Sequence, residues 1–210
     1  INTGVLWRLQ WLEEKLNIPR ISLGAVYRSG AKFEMTEQFI TPIFLEDAPT
    51  WDAVSDLSKF TLKVPDSFGV GLGIRPTENL TLTFDVVYIE YKDLLEDFDI
   101  VISPDNQTKD DYTVDNVTEI HVGAEYVLDI GERFLALRAG AYTDPDHTIR
   151  YSGDESGLGT VQQVLFPGGD DQIHITGGVG LVVNENFQID TAANISDRSK
   201  QLSISAVYRF

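Results

Sequence analysis

Apolar and polar residues alternate with a period of two along most of the chain, the spacing that places successive side chains on opposite faces of a β-strand. The last segment shows it cleanly: Leu202, Ile204, Ala206, Tyr208 and Phe210 alternate with Gln201, Ser203, Ser205, Val207 and Arg209. The same pattern holds at 119–127, where Ile120, Val122, Ala124 and Tyr126 oppose Glu119, His121, Gly123 and Glu125. At 21–28, Ile21, Leu23, Ala25 and Tyr27 oppose Ser22, Gly24, Val26 and Arg28, and at 68–75 Phe68, Val70, Leu72 and Ile74 oppose Gly69, Gly71, Gly73 and Arg75. About nine strands are predicted, near 1–12, 20–38, 58–75, 79–92, 114–128, 133–143, 171–183, 187–195 and 200–210.

The connections fall into two kinds that nearly alternate. Short turns stand at Arg75 to Asn79, Asp129 to Glu132 and Asn184 to Asn186, and long connections cover 39–57, 93–113 and 144–170. The exceptions are 196–199, short but on the long-connection side, and the longer stretch from Glu13 to Pro19 on the short-turn side. Short turns at one end and long loops at the other are what an outer-membrane barrel shows, whereas a sandwich predicts no such asymmetry. The fold class is therefore all-β, an antiparallel transmembrane β-barrel. An odd number of strands leaves the first and last pointing the same way, so this chain alone does not close an all-antiparallel barrel. Partner strands, from an N-terminal part or from another chain, are expected, because an open edge in lipid leaves backbone groups unpaired.

Composition narrows the functions. With 33 acidic against 16 basic residues and a net charge of −17, no face is basic enough to neutralise several phosphates, so nucleic acid is not an expected partner. There is no cysteine, which excludes disulfides and Cys-ligated zinc. No run of about 18 apolar residues offers a transmembrane helix. The three histidines, His121, His147 and His174, have no metal-motif spacing, and no local signature marks a nucleophile, so no enzyme activity, cofactor or metal is expected. The glycine runs at 69–73 and 177–180 lie within strands and open no helix, so they are wall glycines rather than a dinucleotide loop.

With the apolar faces toward lipid, the opposite faces put Arg28, Arg75, Asp85, Glu119, His121, Glu125, Arg138, His174 and Arg209 on the lumen side. There, charges pair to hold the wall or anchor a plug, or they touch a substrate. The excess acid sits in the long connections, where solvation accounts for it and no stretch has the spacing of an EF-hand. Loop 39–57 intersperses Phe44, Leu45 and Trp51 with these acids, and exposed apolar surface of this kind either packs a loop on the rim or binds something.

Two stretches carry a resemblance. Ala206-Val207-Tyr208-Arg209-Phe210 resembles the terminal assembly signal of bacterial outer-membrane barrels, with Tyr208 and Phe210 as its aromatics. Val64-Pro65-Asp66-Ser67-Phe68-Gly69-Val70-Gly71-Leu72-Gly73-Ile74-Arg75-Pro76, followed by Leu80 to Val86, resembles the FadL/TodX family of outer-membrane channels for long-chain fatty acids and hydrocarbons. Asn2 to Trp7, Ser22 to Gly30, Val122 to Tyr126 and Leu137 to Tyr142 follow in the family's order. The resemblance implies that residues 1–210 are the C-terminal portion of a larger barrel, with the N-terminal plug and first strands absent. It further implies passive uptake of hydrophobic molecules across the outer membrane of a Gram-negative bacterium, captured at the loops by Phe44, Leu45, Trp51, Leu165 and Phe166. Outer-membrane lipid, lipopolysaccharide and the barrel assembly machinery are the implied partners. Two other readings stay open: a structural or adhesive barrel that transports nothing, and a soluble secreted β-sandwich binding module.

Overall fold

Nine strands join into one antiparallel sheet whose spatial order is the order of the chain. The computed structural model describes residues 1–37, 40–45, 48–53, 58–96, 109–153 and 158–210, with the side chains of 37–60 and of residue 158 outside the description. The strands are β1 (Asn2–Arg8), β2 (Arg20–Arg28), β3 (Lys32–Glu37), β4 (Ile40–Leu45), β5 (Ala48–Ala53), β6 (Ser58–Lys63), β7 (Ser67–Arg75), β8 (Leu80–Ile89), β9 (Tyr112–Thr113), β10 (Val117–Ile130), β11 (Arg133–Asp144), β12 (Arg150–Tyr151), β13 (Gln172–Asn184), β14 (Phe187–Ile195) and β15 (Lys200–Tyr208). Two helices, α1 (Gln10–Leu16) and α2 (Leu158–Leu165), complete the regular elements apart from two short 3-10 turns. The sheet runs β1-β2-β7-β8-β10-β11-β13-β14-β15, and three two-stranded ladders, β3 with β6, β4 with β5 and β9 with β12, stand apart from it. Among the described residues no closed barrel forms, and β1 and β15 each keep one unpaired edge.

The nine-strand expectation matches the sheet, with three local corrections. Residues 10–12, expected as the end of the first strand, instead open a helix that runs to Leu16 within the expected connection, where Asn17 in the left-handed region (φ 52°) and Pro19 make a compact stop before β2. The long strands expected at 20–38 and 58–75 each break, at 29–31 and 64–66, so that only β2 and β7 enter the sheet. The connection expected at 39–57 carries the β4–β5 ladder, in which Phe44 pairs with Pro49 and Pro42 with Trp51; the side chains of Phe44, Leu45 and Trp51 lie outside the described ones.

Registry shows how the strands are staggered. The row through Trp7, at the short-turn end of β1, passes Leu23, Leu72, Phe84, Val122, Ala141 and Ile175 to Ile195, at the long-loop end of β14. A row that climbs from one end to the other means strands tilted against the sheet's long axis, the geometry a barrel wall requires.

One face is apolar from β1 to β15, and along β10 and β13 it is the more exposed one. Along β10, Ile120, Val122 and Tyr126 are exposed while Glu119, His121 and Glu125 are half-buried; along β13, Ile173, Ile175 and Val179 are exposed while His174 is buried. A sheet with one face on a water-soluble core shows the reverse. The accessible surface, 14583 Å², is about half as much again as the ~9,700 Å² expected of a compact monomer of this mass. The buried apolar residues among those described are Ile21, Tyr112, Val114 and Val117, which sit at the two ends of the sheet and leave its middle bare. No helix among the described residues is long and apolar enough to cross a membrane.

Both ends are tied by buried or half-buried carboxylates. At the short-turn end, Glu13 on α1 accepts hydrogen bonds from Arg8 Nε (2.9 and 3.0 Å) and from the Ile21 N–H (2.8 Å), fixing the helix across the β1–β2 connection. At the other end Asp66 accepts from the Tyr27 hydroxyl (2.6 Å) and the Gly30 N–H (2.8 Å), and Phe68 lies against Tyr27 with ring centroids 4.8 Å apart. The Pro-Asp-Ser-Phe stretch is thus a clamp on the exit of β2. Gly30 belongs to the clamp, since a Cβ there would collide with the Val64 carbonyl.

The clamp and the α1 turn give two expectations. Gly30→Ala lowers stability by about 3 kcal/mol or more, whereas Gly73→Ala, whose Cβ meets nothing within 4 Å, leaves it unchanged within about 1 kcal/mol; thermal unfolding followed by circular dichroism distinguishes them. Hydrogen bonds from Arg8 and then Ile21 hold the Glu13 carboxyl below its usual range, and those from Tyr27 and then Gly30 do the same for Asp66. Carboxyls depressed on folding stabilise above their unfolded values, about 4, and lose that contribution as the pH falls through the folded ones. The unfolding temperature therefore drops below about pH 4, and drops less in Glu13→Gln.

Candidate functional site

The polar, sheltered face carries the chemistry, and one row of it concentrates the reactive groups. Leu6, Gly24, Gly71, Asp85, His121, Tyr142 and His174 stand opposite one another in turn across seven strands. The row passes from small and apolar at β1 to charged and aromatic at β13.

Its β1–β8 half is a trough of about 750 Å³, reaching His121 on β10, within the ~300–1,000 Å³ typical of small-molecule sites. Gly4, Gly24, Gly69, Gly71 and Gly73 pave it, and Leu6, Val26 and Val87 give it apolar walls. The absence of side chains at these positions lowers the floor to backbone. Asp85 leans across Gly71, where any Cβ would overlap its carboxylate. Arg28 stands at the long-loop end of the same trough.

The other half of the row is a stack of rings. His121 and Tyr142 lie 5.1 Å apart at 12°, and Tyr142 and His174 4.4 Å apart at 7°. Asn194 fixes the stack: its amide donates to the Tyr142 hydroxyl (3.0 Å), and its carbonyl oxygen meets His174 Nδ1 at 3.0 Å. Nε2 of the same ring lies 3.8 Å from Asp144. His121 Nε2 is 3.1 Å from Glu119, so the two histidines expected on this face flank one tyrosine rather than meeting each other. His147, the third, stacks on Tyr91 (4.4 Å, 14°) at the loop end and approaches Asp144 at 3.5 Å.

Below the stack, Arg138 on β11 clasps four strands. Its Nε donates to Glu125 on β10 (2.7 Å) and its Nη1 to Asp190 on β14 (2.6 Å), crossing β13 on the way. Gly180, directly opposite Asp190, makes room for the crossing, since a Cβ there would overlap both charged groups. Gln188 donates to the second Asp190 oxygen (2.7 Å).

The remaining sequence candidates are placed as follows. Arg75 donates to the Thr81 hydroxyl (3.3 Å) on the polar face. Arg209 lies past the end of β15, where its backbone N–H and carbonyl both bond Asn186. Tyr208 projects from the apolar face, and Phe210 is fully exposed. Leu165 is exposed with Val161 and Val164 on α2, whereas Phe166 packs edge-on against Tyr112 (5.1 Å) in the loop-end cap. The acids of the long connections are partly paired, Asp146 with Arg150, which also meets Asp115 ahead of β10, and Asp170 with Arg198. Asp66, Glu90 and Asp93 come within 4.8 Å of one another, but the Lys63 ammonium, 2.7 Å from Asp93, already supplies a cation there. Sequence reasoning missed Tyr142, Asn194 and Asp190, which the same alternation places on the polar face of β11 and β14.

No protein-family model matches the chain, and no curated protein matches it in sequence.

The clasp is testable by a double-mutant cycle. Arg138→Ala and Asp190→Ala are expected to couple by about 1 kcal/mol, small because Arg138 is 40% exposed. Arg138→Lys retains less than half of that coupling, since an ammonium cannot fork to two carboxylates on opposite sides. Urea unfolding midpoints measure it.

Proposed function

We propose that the chain is part of the wall of an outer-membrane β-barrel that passes hydrophobic molecules, of the class of long-chain fatty acids or aromatic hydrocarbons, without covalent chemistry. The observation that carries this reading is the inverted burial along β10 and β13, with isoleucine and valine outward and histidine and glutamate sheltered. An apolar surface running over nine strands has a favourable neighbour in hydrocarbon and none in water. Tyr27, Phe68 and Tyr88 at the long-loop end, and Trp7, Phe187 and Tyr208 at the short-turn end, suit the two polar interfaces of a bilayer. The stagger of the rows and the asymmetry of the connections support the same reading. The glycine-paved trough supplies a low-relief, largely apolar surface on the side away from lipid. The two free edges call for further strands, an odd number of them if every pairing is antiparallel. A sandwich would cover the apolar face with a second sheet, and the described residues offer only three two-stranded ladders.

Two experiments test this. In cells lacking their own transporter, expression of the full-length protein raises uptake of labelled fatty acids or hydrocarbons; no gain on any of them overturns the transport reading. Independently, Val122→Arg on the apolar face reduces folding stability in lipid vesicles by roughly 2–4 kcal/mol, while Ser205→Arg on the polar face is tolerated. Equal effects remove the membrane assignment.

A further inference from the structure

We propose that Arg20 and Arg75 form an anion site at the short-turn mouth of the trough, holding the carboxylate of a long-chain acid whose hydrocarbon tail lies along β2. The inference rests on the trough being a ligand path and adds where, and which way round, an acid sits in it. Hydrocarbons pass without engaging the pair.

Arg20 and Arg75 stand directly opposite each other on β2 and β7, on the polar face, in the row beyond Ser22 and Gly73 of the trough floor. Like charges so placed destabilise a sheet unless something neutralises them. Elsewhere the chain supplies the partner: Arg138 has Glu125 and Asp190, Arg8 has Glu13, and Lys63, which faces Lys32, has Asp93 and Glu96. Neither Arg20 nor Arg75 has an ion pair among the described residues. Arg75 gives its Nε to the Thr81 hydroxyl, and its Nη groups make no hydrogen bond among the described residues. Glu13 is near enough to Arg20 to feel its charge, but both Glu13 oxygens are taken by Arg8, and one of them also by the Ile21 N–H. Glu14 on α1 and Glu78 on the β7–β8 turn pair with neither arginine. In a chain of net charge −17, two facing guanidinium groups are thus left without a carboxylate.

Opposed residues of an antiparallel pair have Cα atoms about 4.5–5.5 Å apart, so both side chains reach one anion. A carboxylate between them receives charge-assisted hydrogen bonds from each, and the forked donors of arginine match its two oxygens. The tail then follows β2 over Ser22 and Gly24, beside Leu6 and Val26. Asp85 does not oppose this pose. Its carboxylate lies over Gly71, one strand to the side and four residues from Arg75, about 13 Å from the head by strand rise, and it stays solvated from the β8 side. Arg28, eight residues from Arg20 on the same strand and about 27 Å away, faces Ser67 rather than a second cation and does not share the head.

The test uses the full-length protein in detergent near neutral pH, with three probes: a long-chain carboxylic acid, the alcohol of the same chain length, and acetate. Their affinities are measured by calorimetry. The wild type binds the acid more tightly than the alcohol, and Arg20→Gln combined with Arg75→Gln weakens the acid about tenfold or more while leaving the alcohol within about twofold. Each exchange removes a repulsion, so neither lowers the unfolding temperature of the ligand-free protein. An acid affinity unchanged in the double variant overturns the proposal, and so does a loss confined to Arg28→Gln, which turns the acid round. A lower unfolding temperature of the ligand-free double variant also overturns it, because the two arginines then hold an acidic side chain of the protein itself. Acetate binding as tight as that of the long-chain acid overturns the role of the tail. If neither long-chain probe binds the wild type, the trough reading fails along with the proposal.

Discussion

Antiparallel backbone pairing between strands that follow one another in the chain is the interaction on which everything else depends. Each strand is fixed by its predecessor, so a single register propagates from β1 to β15 and decides which side chains share a row. The two-residue turn at Gly131 and Glu132, with Gly131 at φ 65°, shows how locally this is set. Counting back equally from that turn brings His121 opposite Tyr142 and Glu125 opposite Arg138. The β10–β11 halves of the ring stack and of the clasp both follow from this one turn.

The fold was legible because its signal is local. Alternation in 119–127 and 201–210 needs no knowledge of partners, and the short turns stand out by glycine, proline and asparagine. The breaks at 29–31 and 64–66 were not legible, since they depend on Asp66 reaching back to Tyr27 and Gly30 across an intervening excursion of the chain. Alternation also says nothing of which residue opposes which. Arg138 and Asp190 read as two unrelated polar-face charges until β13 is laid between them with Gly180 at the crossing. Helix α1 escaped because its apolar residues, Trp11 and Leu12, continue the strand pattern for two positions before Glu13 turns inward to Arg8.

Glycine does two different things in this sheet. At Gly30 its absence of a side chain lets two backbone segments touch. Elsewhere in the sheet it makes room for neighbours: Gly71 for the Asp85 carboxylate, and Gly180 for the ion pair of Arg138 and Asp190. The same substitution pattern thus lowers the floor under the apolar trough and gives long charged side chains somewhere to lie. Charges on the β10–β14 side pair with one another, whereas Asp85 on β8 makes no hydrogen bond or ion pair among the described residues.

The ring stack also bears on assembly. Sliding one strand past its neighbour by two residues keeps every apolar side chain on its own face, so amphipathicity cannot tell the right pairing from such a slip. The clasp is forgiving in one direction, because a slip of β13 by two sets Arg138 opposite Gly180 in place of Gly178. Tyr142 is not forgiving in either. It would face Thr176 one way and Gln172 the other, losing His174 both times. Three stacked rings and an asparagine therefore act as a proofreading mark on the sheet, recognising one alignment among several that keep the same apolar and polar faces.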